Sequence, residues 1–210
     1  MRGSVQCASE RSRAPRRNGF ALIIVLMTIT VLLIGATVIY SNITSAQDVV
    51  RVSRAQQVLA RMVNEFGKSG QNPSFQGDVG KYPHRISQLV IPITTSDTND
   101  CGSPYTGGGG GEVSRWTGPY HLIPTTSTTV YIIGTGFIAE DTLHRVPAQA
   151  NTGSSPGTLY IVMKNVALTD AQSLDFSVDG VTTGAGPTVV FTPNGNNPVT
   201  VYYGKAIVGC

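Results

Sequence analysis

Hydrophobic positions fall into three regimes along the chain. Residues 20–40 read FALIIVLMTITVLLIGATVIY and are apolar nearly all round. At about 1.5 Å per residue, a helix of that length crosses the roughly 30 Å hydrocarbon core of a bilayer. No charged residue lies between Arg17 and Asp48, and no proline between Pro15 and Pro73. Past Tyr40 the apolar positions narrow to a stripe. Val52, Leu59, Val63 and Phe66 recur with Val58 and Met62 beside them, while Arg51, Arg54, Gln57, Arg61 and Glu65 fall largely on other faces. That spacing packs one side of a helix on a domain. Gly67, Gly70 and Pro73 then stop it. The pattern predicts one helix over residues 20–66, on the order of 70 Å long. Its first half suits lipid or a helical bundle, and its second half suits a domain surface.

The third regime starts near Ser69. Twenty of the 24 glycines and 11 of the 12 prolines lie beyond it, and short apolar runs alternate with turn residues. This reads as antiparallel sheet, with strands expected at 128–133, 158–163, 188–192 and 199–203. Asn194-Gly195 marks a hairpin between the last two. Thr169-Asp170-Ala171-Gln172 has the capping-box pattern, and a short helix is expected from there to Asp179-Gly180. The same Asp-Gly pair also fits a hairpin turn. The five glycines at 107–111 predict a flexible loop.

Charge sharpens the first regime. The chain carries a formal net charge of +3, but five arginines against Glu10 give residues 1–19 a net of +4 and leave −1 for the rest. A near-neutral body makes no strong case for nucleic-acid binding. Arginines before an apolar span hold residues 1–17 in the cytoplasm and send the C-terminal body across the membrane. A cleaved secretory signal would have a shorter apolar core, with a weak small-residue site at Thr44-Ser45-Ala46. An uncleaved signal anchor on a periplasmic enzyme or binding domain is a second reading.

A third reading comes from the junction Arg16-Arg17-Asn18-Gly19-Phe20-Ala21-Leu22-Ile23. A Gly-Phe step between a basic leader and an apolar run resembles the prepilin peptidase site of type IV pilins and type II secretion pseudopilins. Tyr82-Pro83, Ile86-x-x-Leu89, Cys101 and Trp116-x-Gly118-Pro119-Tyr120 are similar, more loosely, to the stretch after the helix in those proteins. So are residues 168–181 and a terminal strand pair. The resemblance implies an α+β, pilin-like fold with a long N-terminal helix on a C-terminal antiparallel sheet. Residues 1–19 would be a cleaved cytoplasmic leader. Residues 20–66 would be the helix, with 20–40 in the membrane and later the filament core, and 67–210 a periplasmic or extracellular β-rich domain. It implies cleavage between Gly19 and Phe20, N-methylation of Phe20, and assembly through Leu22, Ile23, Ile24, Leu26, Leu32 and Leu33. The implied partners are other pilin or pseudopilin subunits, prepilin peptidase, an inner-membrane assembly platform, and the bilayer before assembly. The protein would sit in the inner membrane with its C-terminus periplasmic, then in a pilus or pseudopilus. No enzymatic activity and no cofactor is implied.

Most pilins carry Glu at the fifth residue after the cut, where it pairs with the N-terminal amine of a neighbour. Here that position is Ile24. A subunit lacking the carboxylate loses least at a filament tip, so the departure implies a minor, tip or initiating subunit. The alternative is a major pilin that registers its helices by packing alone.

Cys7, Cys101 and Cys210 make an odd count. Cleavage after Gly19 would remove Cys7 and leave two that can pair as Cys101–Cys210 in an oxidising compartment. A terminal Cys tied to the body also resembles the C-terminal disulfide loop of many pilins. The alternative is two unpaired thiols.

Other chemistry finds little support. Gly134-Thr135-Gly136-Phe137-Ile138-Ala139 fits a dinucleotide fingerprint, but Pro147 leaves no room for a crossover helix and Lys164 stands where an acid is needed. The glycines read instead as a strand turn. His84, His121 and His144 are far apart in sequence and read as surface residues. Asp97, Asp100 and Glu112 lie in a polar loop comparable to one that binds calcium in some pseudopilins, without the spacing of a known site. Asn42-Ile43-Thr44 matches a sequon but lies in the helix beside the membrane.

Overall fold

The computed structural model describes residues 18–67, 73–122, 125–127, 130–133, 136–146, 156–192 and 198–208. The chain is mixed α+β, an N-terminal apolar helix and a C-terminal antiparallel sheet. It divides into two compact units, residues 1–46 and 47–210. Helix α1 (Asn18–Phe66) runs unbroken for 49 residues, as the absence of proline predicts.

In the second unit, the described residues form a sheet of seven strands: β1 (Thr125–Ser127), β2 (Val130–Ile133), β3 (Phe137–Glu140), β4 (His144–Val146), β5 (Pro156–Val166), β6 (Val189–Phe191) and β7 (Val199–Val208). The order is β1-β2-β3-β5-β7-β6, every pair antiparallel, with β4 also beside β5. The four expected strands are present. β2 fills the described part of 128–133, and β5 and β7 run longer than expected. β6 and β7 pair from Val189↔Tyr203 to Phe191↔Val201; their expected Asn194-Gly195 turn lies outside the described residues. So do Gly134 and Thr135, although Gly136 occupies the β2–β3 turn at a φ of 98°, where a glycine is favoured.

Three strands were not foreseen: β1, β3 and β4. β3 and β4 share one flank of β5, through Ala139↔Met163 and His144↔Tyr160. Between them the chain breaks to receive the segment 84–87. Ile86 N–H donates to the Asp141 carbonyl (2.8 Å) and Leu143 N–H to that of His84 (2.9 Å). The Asp141 carboxylate accepts from the Ser87 amide and hydroxyl (2.7 and 3.0 Å).

The inner face of the sheet presents Leu159, Ile161 and Met163 of β5 and Val199, Val201, Tyr203 and Ile207 of β7. These join one core with Val52, Ala55, Leu59, Met62, Val63 and Phe66 of α1, so the predicted stripe is the buried face of the helix. Burying each larger side chain stabilises the fold by about 1.5–3 kcal/mol. On the opposite face Tyr160 stands edge-on to Tyr202, centroids 6.1 Å apart. Tyr160 covers Gly204, where a Cβ would lie 2.4 Å from the ring.

Helix α3 (Leu168–Asp179) ends as expected, on Gly180 in the left-handed region at a φ of 76°. Its start differs. Ala167 is the N-cap, without a side-chain hydrogen bond, and Thr169 lies inside the first turn. The capping pattern is therefore not used as a cap.

The segment 73–121 is a long excursion before the sheet. Ser74 caps the short helix α2 (Phe75–Val79), its hydroxyl accepting from Gly77 N–H at 3.2 Å. Phe75 packs edge-on against Tyr105 and Tyr120, and Tyr120 against Trp116. Buried Gln88 ties the turns of this excursion together. Its Oε1 accepts from the His84 amide (2.8 Å), its Nε2 donates to the Thr98 carbonyl (3.0 Å), and its own carbonyl takes the Trp116 indole N–H (2.9 Å). The five glycines form a loop, yet one closed at its base. Glu112 accepts from the Thr106 amide and hydroxyl at 2.7 and 3.0 Å.

Candidate functional site

The described start of the first unit is an exposed apolar surface. Phe20–Thr37 is long and apolar enough to cross a membrane, and none of that window is buried. Phe20, Leu22, Ile23, Ile24, Leu26, Leu32 and Leu33 are all exposed, Phe20 at 74% and Ile24 at 48%. An isolated surface of this size in water is a site for association or for lipid. The three threonine hydroxyls of that window are already satisfied. The hydroxyls of Thr28, Thr30 and Thr37 donate to carbonyls three or four residues back, at 2.9–3.0, 2.7 and 2.8 Å. The helix thus offers a bilayer no open hydrogen-bonding side chain at those positions. Gly19 and Phe20 both lie within α1. The leader residues 1–17 lie outside the described residues.

In the second unit, the rest of α1 is held by charge as well as by its stripe. Arg51 Nη2 bonds both carboxylate oxygens of Asp170 on α3 (2.7 and 2.6 Å), and its guanidinium stands 6.0 Å from the Phe137 ring centre. Glu65 takes Arg61 Nε at 3.1 Å and pairs with Nδ1 of His121. His121 is 6% exposed, so it is not a surface residue as expected; Glu65, 56 residues earlier, supplies the partner that lets it be buried. Lys205 on β7 donates to the Val63 carbonyl at 3.1 Å, in the last turn of α1. Burial holds its ammonium below the ordinary lysine range. A cation there satisfies a helix carbonyl and complements the negative end of the helix dipole.

Cys101 is disulfide-bonded. Cys7 and Cys210 lie outside the described residues. Around Cys101 the interior is charged. Asp100 and Arg145 form an ion pair whose side chains are 0% and 3% exposed. Arg145 Nη1 lies 3.2 Å from Cys101 Sγ, and Asp100 Oδ2 lies 3.6 Å from it. Asn99 Oδ1 accepts from the amides of Cys101 (3.0 Å) and Ser103 (3.1 Å), which fixes the turn. Desolvation raises the Asp100 carboxyl above the usual carboxylate range, and Arg145 opposes that shift. Arg145 carries no sequence signal: it is one residue of a three-residue strand.

The three acids considered for calcium are spent separately. Asp97 accepts from the Thr94 amide and hydroxyl (2.7 and 2.8 Å), Asp100 holds Arg145, and Glu112 closes the glycine loop. Among the described residues no group of three or more potential ligands is gathered. His84 is half-buried and His144 is exposed. No protein-family model matches the chain, and neither does any curated protein or solved structure.

Proposed function

We propose that this chain is a structural subunit of a type IV pilus or pseudopilus. In this reading it is made as an inner-membrane precursor with its body in the periplasm. Prepilin peptidase cuts between Gly19 and Phe20, Phe20 is N-methylated, and an assembly platform extracts the helix into a filament. The observation that carries the reading is α1 itself. It includes the Gly19-Phe20 junction, exposes its apolar side chains through Thr37, and buries a stripe from Val52 to Phe66. A plain membrane anchor needs the first property and not the last.

Assembly then exchanges lipid for helix contacts around Leu22, Ile23, Ile24, Leu26, Leu32 and Leu33. Both environments are apolar, so the gain comes from close packing rather than from leaving water. The disulfide of Cys101 is assigned to Cys210. Two observations support this. Asp100 N–H donates to the Tyr82 carbonyl at 3.1 Å, and Tyr82 is also hydrogen-bonded to the backbone of Val208. The Cys101 turn and the end of β7 therefore both lie against Tyr82, the one at its backbone and the other at its phenol. Residue 210 is two further along, and one extended residue spans about 3.4 Å.

Ile24 lacks the carboxylate that would reach a neighbour's amine, which favours a tip or initiating position over a major subunit. Quantitative mass spectrometry of sheared filaments tests both claims. The chain is expected there at a small fraction of the main subunit. Equal abundance would refute the minor role, and absence from the filaments would refute the reading as a whole.

A further inference from the structure

The C-terminal ends of α1 and α3 carry opposite charge. At the end of α1, Lys205 meets the negative pole of the helix. The last turn of α3 holds no basic residue, and two carboxylates, Asp175 and Asp179, stand there instead. Like charges four residues apart on a helix repel, and the dipole disfavours an anion at this end. Among the described residues no Lys, Arg or His pairs with either. The loop 180–188 folds over both. Gly184 N–H donates to Asp175 Oδ2 at 2.8 Å, and the Thr188 and Val189 amides donate to Asp179 Oδ2 at 3.0 and 2.7 Å. At Gly186 a Cβ would stand 2.2 Å from the same Asp179 oxygen, so the backbone closes directly on that carboxylate. The loop is pinned in turn to β6, through Phe191 N–H on the Gly184 carbonyl (3.0 Å) and a bridge between Ala185 and Val190.

Asp175 is 0% exposed, and its second oxygen, Oδ1, is buried with no hydrogen-bond partner. Its sister oxygen is docked on Gly184 N–H, so Oδ1 sits at the seam between α3 and the loop. A buried carboxylate oxygen without a donor or a cation is costly. Burial, and then the Asp179 charge, push the Tyr203 phenol up, so the negative field of this seam reaches the core. We propose that Asp175 and Asp179, completed by backbone carbonyls of residues 180–188, bind a hard divalent cation, calcium by the chemistry of the donors. Carboxylate and carbonyl oxygens are hard ligands, and residues 168–192 contain no His, Cys or Met that would select a softer metal. Calcium takes about six to eight oxygens in irregular geometry, which an irregular loop can supply, whereas magnesium demands a near-octahedral set. The ion gives Asp175 Oδ1 its partner, supplies the positive charge that the end of α3 lacks, and ties the loop to the helix. The site is independent of the role of α1.

The test uses the full chain, purified in detergent and freed of divalent ions with a chelator. Urea denaturation is followed by tyrosine and tryptophan signals at fixed ionic strength, with and without calcium. Two carboxylates place the site among weak calcium modules, with dissociation constants on the order of 10⁻⁴–10⁻³ M. Calcium at about 10 mM is then expected to shift the folding equilibrium about 10- to 100-fold toward the folded state. Magnesium at the same concentration should shift it by less than about threefold. Asp175→Asn keeps an acceptor for Gly184 N–H, loses the charge, and should lose the calcium shift. No shift in the parent, or an equal shift with magnesium, overturns the proposal. So does an equal calcium shift in Asp175→Asn, which would put the ion elsewhere. Should that variant fail to fold, Asp179→Asn, at a partly exposed position, decides in its place. It should lose the shift as well, and an undiminished shift overturns the proposal.

Discussion

Leu32→Arg is expected to remove the protein from filaments while leaving its body folded. Leu32 lies well inside the apolar window and is 71% exposed. A charge near the middle of a spanning helix costs roughly 2.5–3.5 kcal/mol on insertion scales. Packing against other apolar helices offers it no partner. Since every 1.4 kcal/mol is about tenfold, incorporation should drop on the order of a hundredfold. The readout is the amount of the chain in sheared filaments relative to that of the parent. The body, which takes none of its core from residue 32, should unfold at the same urea concentration as the parent. Unchanged incorporation would mean that the helix does not enter an apolar filament core.

Phe66→Ala should do the reverse. Phe66 closes the buried stripe of α1 and is fully buried in the core shared with the sheet. Truncating a core aromatic to alanine typically costs about 3–5 kcal/mol, part of it from the cavity left behind. In this chain that side chain helps fix the last turn of α1, where Lys205 also bonds the Val63 carbonyl. Urea denaturation followed by tyrosine and tryptophan signals should show a large fall in midpoint, with the processing at Phe20 unaffected. A shift below about 1 kcal/mol would mean that the cavity collapses or that α1 is held chiefly by Arg51–Asp170 and Glu65–His121.

What could be read from sequence follows the range of the forces involved. Helix α1 was legible because its signals are local and periodic: an uncharged apolar run, then Val52, Leu59, Val63 and Phe66 on one face. The long strands were legible from apolar runs between turn residues, and Gly180 marked the end of α3. The break between β3 and β4 was not, because it exists to receive residues 84–87 from a segment some 54 positions away. His121 was misjudged for the same reason, its partner Glu65 being on α1. The apparent cap at Thr169 failed because the chain enters α3 directly from β5 through Ala167, one residue after the strand ends. At the candidate site, the apolar residues were all named from sequence. Arg145 was missed, since a guanidinium beside a sulfur 44 positions away leaves no local pattern.

The central claim is that α1 becomes an exposed, processed assembly helix beginning at Phe20. The most direct test is the intact mass and terminal sequence of the mature chain, expressed in a host with prepilin peptidase. The account predicts a chain that starts at N-methylated Phe20 and has lost residues 1–19. A mature chain that starts at Met1, or at Gln47 after cleavage behind Ala46, would contradict it.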